Sequence, residues 1–201
     1  MKHIIFITLL VLTFSCKAQS PVVARDALRS DKSPGTYFKD LNNEFNKFEG
    51  TWLYQNGSTQ FKVILTKVEM DYDGYKNYYD QLFGEYQYIE NGTEIVNTLS
   101  NLTTNPNNYD NRNIVGGLFI DNNDLPTCDD CSDTERRVSL GFYDPERDYL
   151  NYTITLRYLV GQTNPEKMEI TIFESDSAIL PYEGAPETIR VPAGTYLMEK
   201  Q

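Results

Sequence analysis

The segment DNNDLPTCDDCSDTE (121–135) concentrates the residues that could bind a metal or react as thiols. It holds six carboxylates, no basic residue, and Cys128 and Cys131 in a Cys-x-x-Cys spacing. In an exported protein such a pair favours a local disulfide. A redox-active thiol needs a lowered pKa, which neighbouring carboxylates disfavour. The oxygen ligands suit calcium, although the EF-hand spacing is missing, and zinc would need two further ligands. A solvated loop with free thiols remains the fourth interpretation.

Histidine chemistry is excluded by composition. The only histidine is His3, at the extreme N-terminus, so a mature chain that has lost this end has no Ser-His-Asp site, Cys-His site or histidine metal ligand. Paired carboxylates remain available for glycoside hydrolysis, but no spacing selects a pair. Glu85 is the one acid worth testing, with a solvent-facing strand residue as the alternative. We predict no catalytic residue, no metal and no cofactor, and therefore a protein that is not an enzyme; a carboxylate-dependent carbohydrate hydrolase is the less favoured alternative.

The charge of the chain excludes one class of partner. The 201 residues carry a formal net charge of −11, and removing residues 1–15 takes away Lys2 and no acid, which gives −12. Nucleic-acid binding requires a basic face, so no nucleic-acid partner is expected. Anionic lipid surfaces are equally poor partners for the folded part.

The N-terminus has the pattern of a secretory signal peptide. Lys2 precedes the apolar run IIFITLLVLTF (4–14), which is much shorter than the roughly 20 residues that span a bilayer. TFSC (13–16) resembles the lipobox of bacterial lipoproteins, with Ser15 in the small position. We predict that residues 1–15 are removed, that Cys16 is lipidated, and that residues 16–37 form a flexible tether to the cell envelope, at the outer membrane. Cleavage after Ala18, which would discard Cys16, is the alternative.

The remaining residues, 38–201, predict one all-β domain. In KDLNNEFNKFEG (39–50), Asp40 can cap a short helix that places Leu41, Phe45 and Phe48 on one face. Alternating apolar residues and Asn-Gly turns then predict about eight or nine strands, joined as an antiparallel meander. The strands are expected at 51–55, 59–70, 78–90, 93–100, 113–120, 136–143, 149–160, 167–174 and 193–200. Closing such a sheet removes its edges, so we predict a barrel or strongly curved sheet.

Two resemblances accompany this pattern. FNKFEGTWLYQ (45–55) resembles the opening of the lipocalin-like (calycin) barrels, whose Gly-x-Trp motif corresponds to Gly50 and Trp52. The resemblance implies that Trp52 lies at the closed end of the barrel against a basic residue from a late strand, and Arg157 is the candidate. Together, SCKAQ, LNNEFNKFEGTW, YYDQLFGEYQYIENGTE and GTYLMEK resemble a family of flavobacterial lipoproteins with a domain of unknown function.

These features favour a non-enzymatic binding module. A small apolar or amphipathic ligand would enter the barrel mouth, because tyrosine combines an apolar body with a polar tip. The expected lining residues are Tyr86, Tyr88, Tyr152 and Tyr158. The alternative is that the same residues fill a closed core, which would leave an interaction or structural protein of the envelope that functions through its surface.

Overall fold

The computed structural model describes residues 20–104, 111–175 and 182–201. Cys16 and the expected signal peptide lie outside the described residues. The described residues form one sheet of eleven strands and two short helices: a 3₁₀ helix at Glu44–Phe48 and α1 at Asn101–Thr104. The strands are β1 (Val22–Ala24), β2 (Tyr37–Lys39), β3 (Gly50–Asn56), β4 (Thr59–Tyr72), β5 (Tyr78–Glu90), β6 (Thr93–Asn97), β7 (Ile114–Ile120), β8 (Arg137–Phe142), β9 (Tyr152–Thr163), β10 (Glu166–Glu174) and β11 (Gly194–Lys200).

Eight of these strands close into an antiparallel barrel. Their order around the barrel is β3, β4, β5, β7, β8, β9, β10 and β11, and β11 returns to pair with β3. Strand β6 pairs with the end of β5, outside this circle. The prediction of an all-β antiparallel barrel is confirmed. None of the described helices is long and apolar enough to cross a membrane.

Side-chain alternation explains why these segments form barrel strands. In β9 and β10, Ile154, Leu156, Met168 and Ile170 are buried in the core, while the residues between them face outward, as a period of two requires. The predicted Asn-Gly turns are present: Gly57 follows β3, and Asn91 and Gly92, both with positive φ, join β5 to β6. These are the backbone conformations that tight hairpins need.

The predicted tether is partly built into the sheet. Strand β1 lies parallel to β2, which in turn lies parallel to the start of β5. Arg25 is buried, and its Nε donates to the carbonyl oxygen of Asp80 at 2.7 Å. Tyr37 donates its hydroxyl to the buried carboxylate of Asp80. Ordered structure therefore begins before residue 38, because these contacts satisfy buried polar groups that a free tether would leave to water.

The predicted short helix is a 3₁₀ helix. The two carboxylate oxygens of Asp40 accept hydrogen bonds from the backbone N–H groups of Glu44 and Phe45, each at 2.9 Å, as the capping prediction requires. Phe45 and Phe48 are fully buried, whereas Leu41 is 57% exposed. The prediction for Leu41 is wrong, because the helix begins only at Glu44 and Leu41 precedes its periodic face.

Closure of the barrel depends on a glycine. Gly84 in β5 pairs with Leu65 of β4 on one side and with Ile114 of β7 on the other. A Cβ atom at this position would lie 2.6 Å from the carbonyl oxygen of Ile64 and 2.8 Å from the Leu65 side chain. Only glycine allows the strands to approach this closely.

We predict that Gly84→Ala destabilises the fold by about 3 kcal/mol, because the neighbouring backbone must move to accept the methyl group. Gly57→Ala is the matched control: its site is open, so only its positive φ is penalised, at about 1–2 kcal/mol. Urea denaturation of both variants measures the difference. Equal losses would contradict the close-approach explanation.

Candidate functional site

The four tyrosines expected to line a ligand lie in the packed core of the barrel. Tyr86, Tyr88 and Tyr152 are at most 5% exposed, and Tyr158 is partly buried against the same core. The Tyr86 ring lies 4.5 Å from the ring of Phe142, and Tyr88 lies 6.3 Å from Phe61, measured between centroids. These contacts match the second expectation for these residues, a filled interior.

The hydroxyl group of Tyr86 has a hydrogen-bond partner although the ring is buried. Its hydroxyl donates a hydrogen bond to the carbonyl oxygen of Tyr143 at 3.0 Å. Burial raises the pKa of Tyr86 far above its ordinary value, with the nearby Asp144 carboxylate adding to the effect. The phenol is therefore neutral at physiological pH and acts as a hydrogen-bond donor, not as an acid or base.

Trp52 packs against a cation, and that cation is Lys200. The Lys200 Nζ lies 5.4 Å from the centroid of the Trp52 ring, and the indole Nε1 donates to the carbonyl oxygen of Phe48 at 2.8 Å. Gly50 has φ +121°, and a Cβ there would lie 3.2 Å from Lys200 Cε, so glycine leaves room for the lysine stem. The expected basic partner, Arg157, instead binds carboxylates on the outside of the barrel, because its alternation within β9 directs it outward.

The outer face of the sheet carries a row of hydroxyl groups, which we call the hydroxyl row: Ser139, Thr155, Thr171 and Thr195. These residues are cross-strand partners in β8, β9, β10 and β11. Their neighbours along each strand point into the core, so the hydroxyl row faces outward. Thr171 and Thr195 share a hydrogen bond of 3.0 Å.

The acidic segment 121–135 lies over this face. Arg157 holds it in place through ion pairs with Asp130 at 2.9 Å and Glu135 at 2.7 Å, and it also contacts Glu169 at 3.2 Å. Arg137 donates to the backbone carbonyls of Asp121, Asp124 and Pro126. Two arginines from adjacent strands thus attach the acidic segment to the barrel.

A polar cleft of about 440 Å³ opens between the acidic segment and the outer face; we call it the outer cleft. Residues 126–130 form one wall. The other wall is formed by Arg137, Thr155, Arg157, Glu169, Thr171 and Thr195. Its volume falls within the range of about 300–1,000 Å³ of small-molecule sites.

Two buried polar atoms in the outer cleft have no hydrogen-bond partner among the described residues. They are the Nε of Arg137, a donor, and the Oγ1 of Thr155. Both residues are 3% exposed. A buried polar group without a partner costs about 1–3 kcal/mol, so native proteins contain few of them. Both residues line the outer cleft, and a ligand that reached these two buried atoms would satisfy them.

A second cleft, of about 570 Å³, lies on the other side of Arg157. Its lining includes Glu44, Lys47, Arg136 and Tyr158. Burial lowers the pKa of Lys47, while Arg136 is paired with Asp26 and Glu44. The second cleft is mixed in charge, and its charged groups largely satisfy one another.

The structure contains the predicted disulfide between Cys128 and Cys131, with their Cα atoms 5.3 Å apart. Asp130 approaches the same two sulfurs closely enough to suggest a metal site by distance, but disulfide sulfurs are not thiolates and do not bind a metal as cysteine ligands do. Two other carboxylates of the segment, Asp121 and Asp124, accept backbone hydrogen bonds within it. This geometry fits an internally bonded loop better than a calcium site.

Glu85, the acid considered for hydrolysis, is a buried structural residue. It is fully buried, its Oε2 accepts a hydrogen bond from Asn113 Nδ2 at 2.7 Å, and Arg112 lies 3.5 Å away. A carboxylate with these partners has no open face toward a substrate. Both partners come from the short stretch that precedes β7.

Fold and site together define a closed eight-stranded antiparallel barrel that carries a polar cleft on its outer wall. The chain belongs to the Family of unknown function (DUF6705), whose model matches residues 1–201. No curated protein and no solved structure matches the chain.

Sequence reasoning missed Arg137 and Thr155. Each is an ordinary polar residue at an outward position of a predicted strand, and neither belongs to a motif. Only the cross-strand register shows that Ser and Thr residues of four strands form one row. The sequence did contain a weak signal, since the outward positions of β9 and β10 include three threonines, Thr153, Thr155 and Thr171.

We predict that the second half of the acidic segment, residues 128–135, detaches from the barrel in acid, while the backbone hydrogen bonds from Arg137 keep the first half attached. The hydrogen bonds from Arg157 lower the pKa of Glu135 and of Asp130. A carboxylate whose pKa is lower in the folded state stabilises the fold fully above its unfolded-state pKa of about 4. This stabilisation is lost as the pH falls through the folded-state pKa. Amide exchange of residues 128–135, followed by NMR from neutral pH downward, should show protection lost below about pH 4.

Arg157→Gln is the control for this prediction. It removes the guanidinium, so the protection of residues 128–135 should already be low at neutral pH and should depend little on pH. Protection in the wild-type protein that persists unchanged into strong acid would refute the role of Arg157 as the attachment.

Proposed function

We propose that the protein is an exported, lipid-anchored binding module of the cell envelope and that it is not an enzyme. The barrel acts as a packed scaffold, and the ligand binds in the outer cleft. The observation that supports this most directly is the pair of unpartnered buried atoms, Arg137 Nε and Thr155 Oγ1, on one wall of that cleft.

The packed interior argues for a site outside the barrel. A ligand in the interior would have to displace contacts such as that between Tyr86 and Phe142, or between Tyr54 and Tyr196 at 5.1 Å. Displacing buried aromatic rings costs several kcal/mol each. The interior site for a small apolar or amphipathic ligand is therefore the second candidate, and an interaction protein with a filled barrel is the third.

The proposed anchor rests on the sequence. Cys16 follows an apolar run and Ser15, and the family match includes this N-terminal segment. More than one acyl chain holds a protein stably on a membrane. Residues 17–19 and the first described residues would then separate the lipid from the barrel.

We predict that Cys16→Ser abolishes incorporation of an alkyne-tagged fatty acid and moves the protein from the membrane fraction to the soluble fraction. The reason is that the thiol of Cys16 is the proposed attachment point. The double variant Cys128→Ser/Cys131→Ser is the matched control and should keep both the label and the membrane location. Unchanged labelling of Cys16→Ser would contradict the anchor.

We predict that native mass spectrometry of the full-length protein detects a stoichiometric adduct from the polar fraction of a cell-envelope extract. The sample is held in a detergent without a sugar headgroup, and the lipid fraction is tested separately. A polar adduct lost on denaturation supports the outer cleft. An adduct from the lipid fraction alone would favour the barrel interior, and a bare mass with both fractions would oppose a small-molecule carrier and favour the interaction protein.

A further inference from the structure

The lining of the outer cleft contains both hydrogen-bond donors and hydrogen-bond acceptors. Arg137 Nε is a donor without a partner, and the Thr155 hydroxyl both donates and accepts. The opposite wall adds the carboxylates of Asp129 and Asp130, which accept. A ligand that satisfies both kinds of group must itself both donate and accept hydrogen bonds.

The formal charges of the residues that line the outer cleft nearly cancel. The lining contains two cations, Arg137 and Arg157, and three carboxylates, those of Asp129, Asp130 and Glu169, which leaves a formal charge of −1. Arg157 is already paired with Asp130 and Glu169. An anionic ligand would meet these carboxylates and the acidic segment, and like charges at close range repel. A cationic ligand would meet Arg137, for which no carboxylate lies within ion-pair distance among the described residues.

Arg137 is a fixed donor. Its terminal nitrogens bind the backbone carbonyls of Asp121, Asp124 and Pro126, so the guanidinium plane is set before any ligand arrives. The Nε–H of this plane remains unused. The backbone of Thr155 is fixed in the middle of the hydroxyl row by its strand partners Ser139 and Thr171. A fixed donor and a fixed backbone position lower the entropic cost of binding.

We propose that the outer cleft binds an uncharged, hydroxyl-rich ligand, a saccharide, with one sugar hydroxyl accepting from Arg137 Nε and another bonding to Thr155 Oγ1. A hydroxyl group is the neutral group that both donates and accepts, and a sugar ring presents several hydroxyls in fixed directions. This inference deepens the proposed function and rests on it. It concerns recognition only and involves no bond cleavage.

The test uses Thr155→Val, which removes the hydroxyl and keeps the branched shape. Full-length wild-type protein, in a detergent without a sugar headgroup, is applied to an array of neutral and acidic glycans of short and long chain length. The neutral glycan retained best is then titrated by calorimetry. Wild type should bind a neutral glycan, and Thr155→Val should weaken that binding about five- to tenfold, the effect of losing one hydrogen bond.

The thermal unfolding of the ligand-free variant separates binding from folding. Because the Thr155 hydroxyl has no partner without ligand, Thr155→Val should unfold at the same temperature as wild type or higher. Thr153→Val is the matched control: it lies on the same strand and face, its hydroxyl bonds to Ser175 at 2.7 Å outside the cleft, and its glycan affinity should equal that of wild type. Unchanged glycan affinity of Thr155→Val overturns the proposal at any unfolding temperature, and a lower unfolding temperature would in addition show a structural role for the hydroxyl.

Each remaining outcome has a defined meaning. Preference for short neutral glycans indicates a free sugar or a chain end, and preference for long ones indicates the interior of a polysaccharide; both support the proposal. Retention of acidic glycans alone overturns it in favour of an anion site. If no glycan is retained but a polar envelope adduct is lost in Thr155→Val, the saccharide inference fails and the proposed binding function stands; if neither appears, both fail.

Discussion

Barrel closure is the constraint on which the rest of the structure depends. Strand β5 must hydrogen-bond to β4 and β7 at once, and it does so around Gly84, where the backbones approach too closely for any side chain. Closure leaves no free sheet edge at this point and buries one face of every barrel strand. It also turns the opposite face outward, and the hydroxyl row exists only because β8, β9, β10 and β11 are aligned by that closed register.

Aromatic side chains fill the interior of the closed barrel. Trp52, Phe61, Tyr86 and Phe142 are all at most 2% exposed, and their rings fill the space that a larger or emptier barrel would leave for a ligand. Phe45 and Phe48 add to the same core from the 3₁₀ helix. The charged and hydroxyl-bearing side chains are concentrated on the outer surface instead.

The acidic segment shows how that surface is organised. Two arginines attach it: Arg157 through carboxylates, and Arg137 through backbone carbonyls. The disulfide between Cys128 and Cys131 closes a short loop within the segment. The attachment buries Arg137 without satisfying its Nε, and the desolvation cost of that donor is what a ligand would recover.

The amino-acid sequence alone determined the local structure. Alternation and the Asn-Gly turns predicted the nine strands β3 to β11 to within a few residues, because strand period and turn conformation are local properties. The short strands β1 and β2 were missed, because no such alternation marks them. The Cys-x-x-Cys spacing likewise predicted the disulfide. Only the tertiary structure decided which cation meets Trp52, whether the tyrosines line a cavity or fill a core, and that Arg137 and Thr155 share one cleft. These outcomes depend on cross-strand register and on contacts between residues far apart in the chain, as with Lys200 and Trp52, and strand periodicity carries no information about which strands become neighbours.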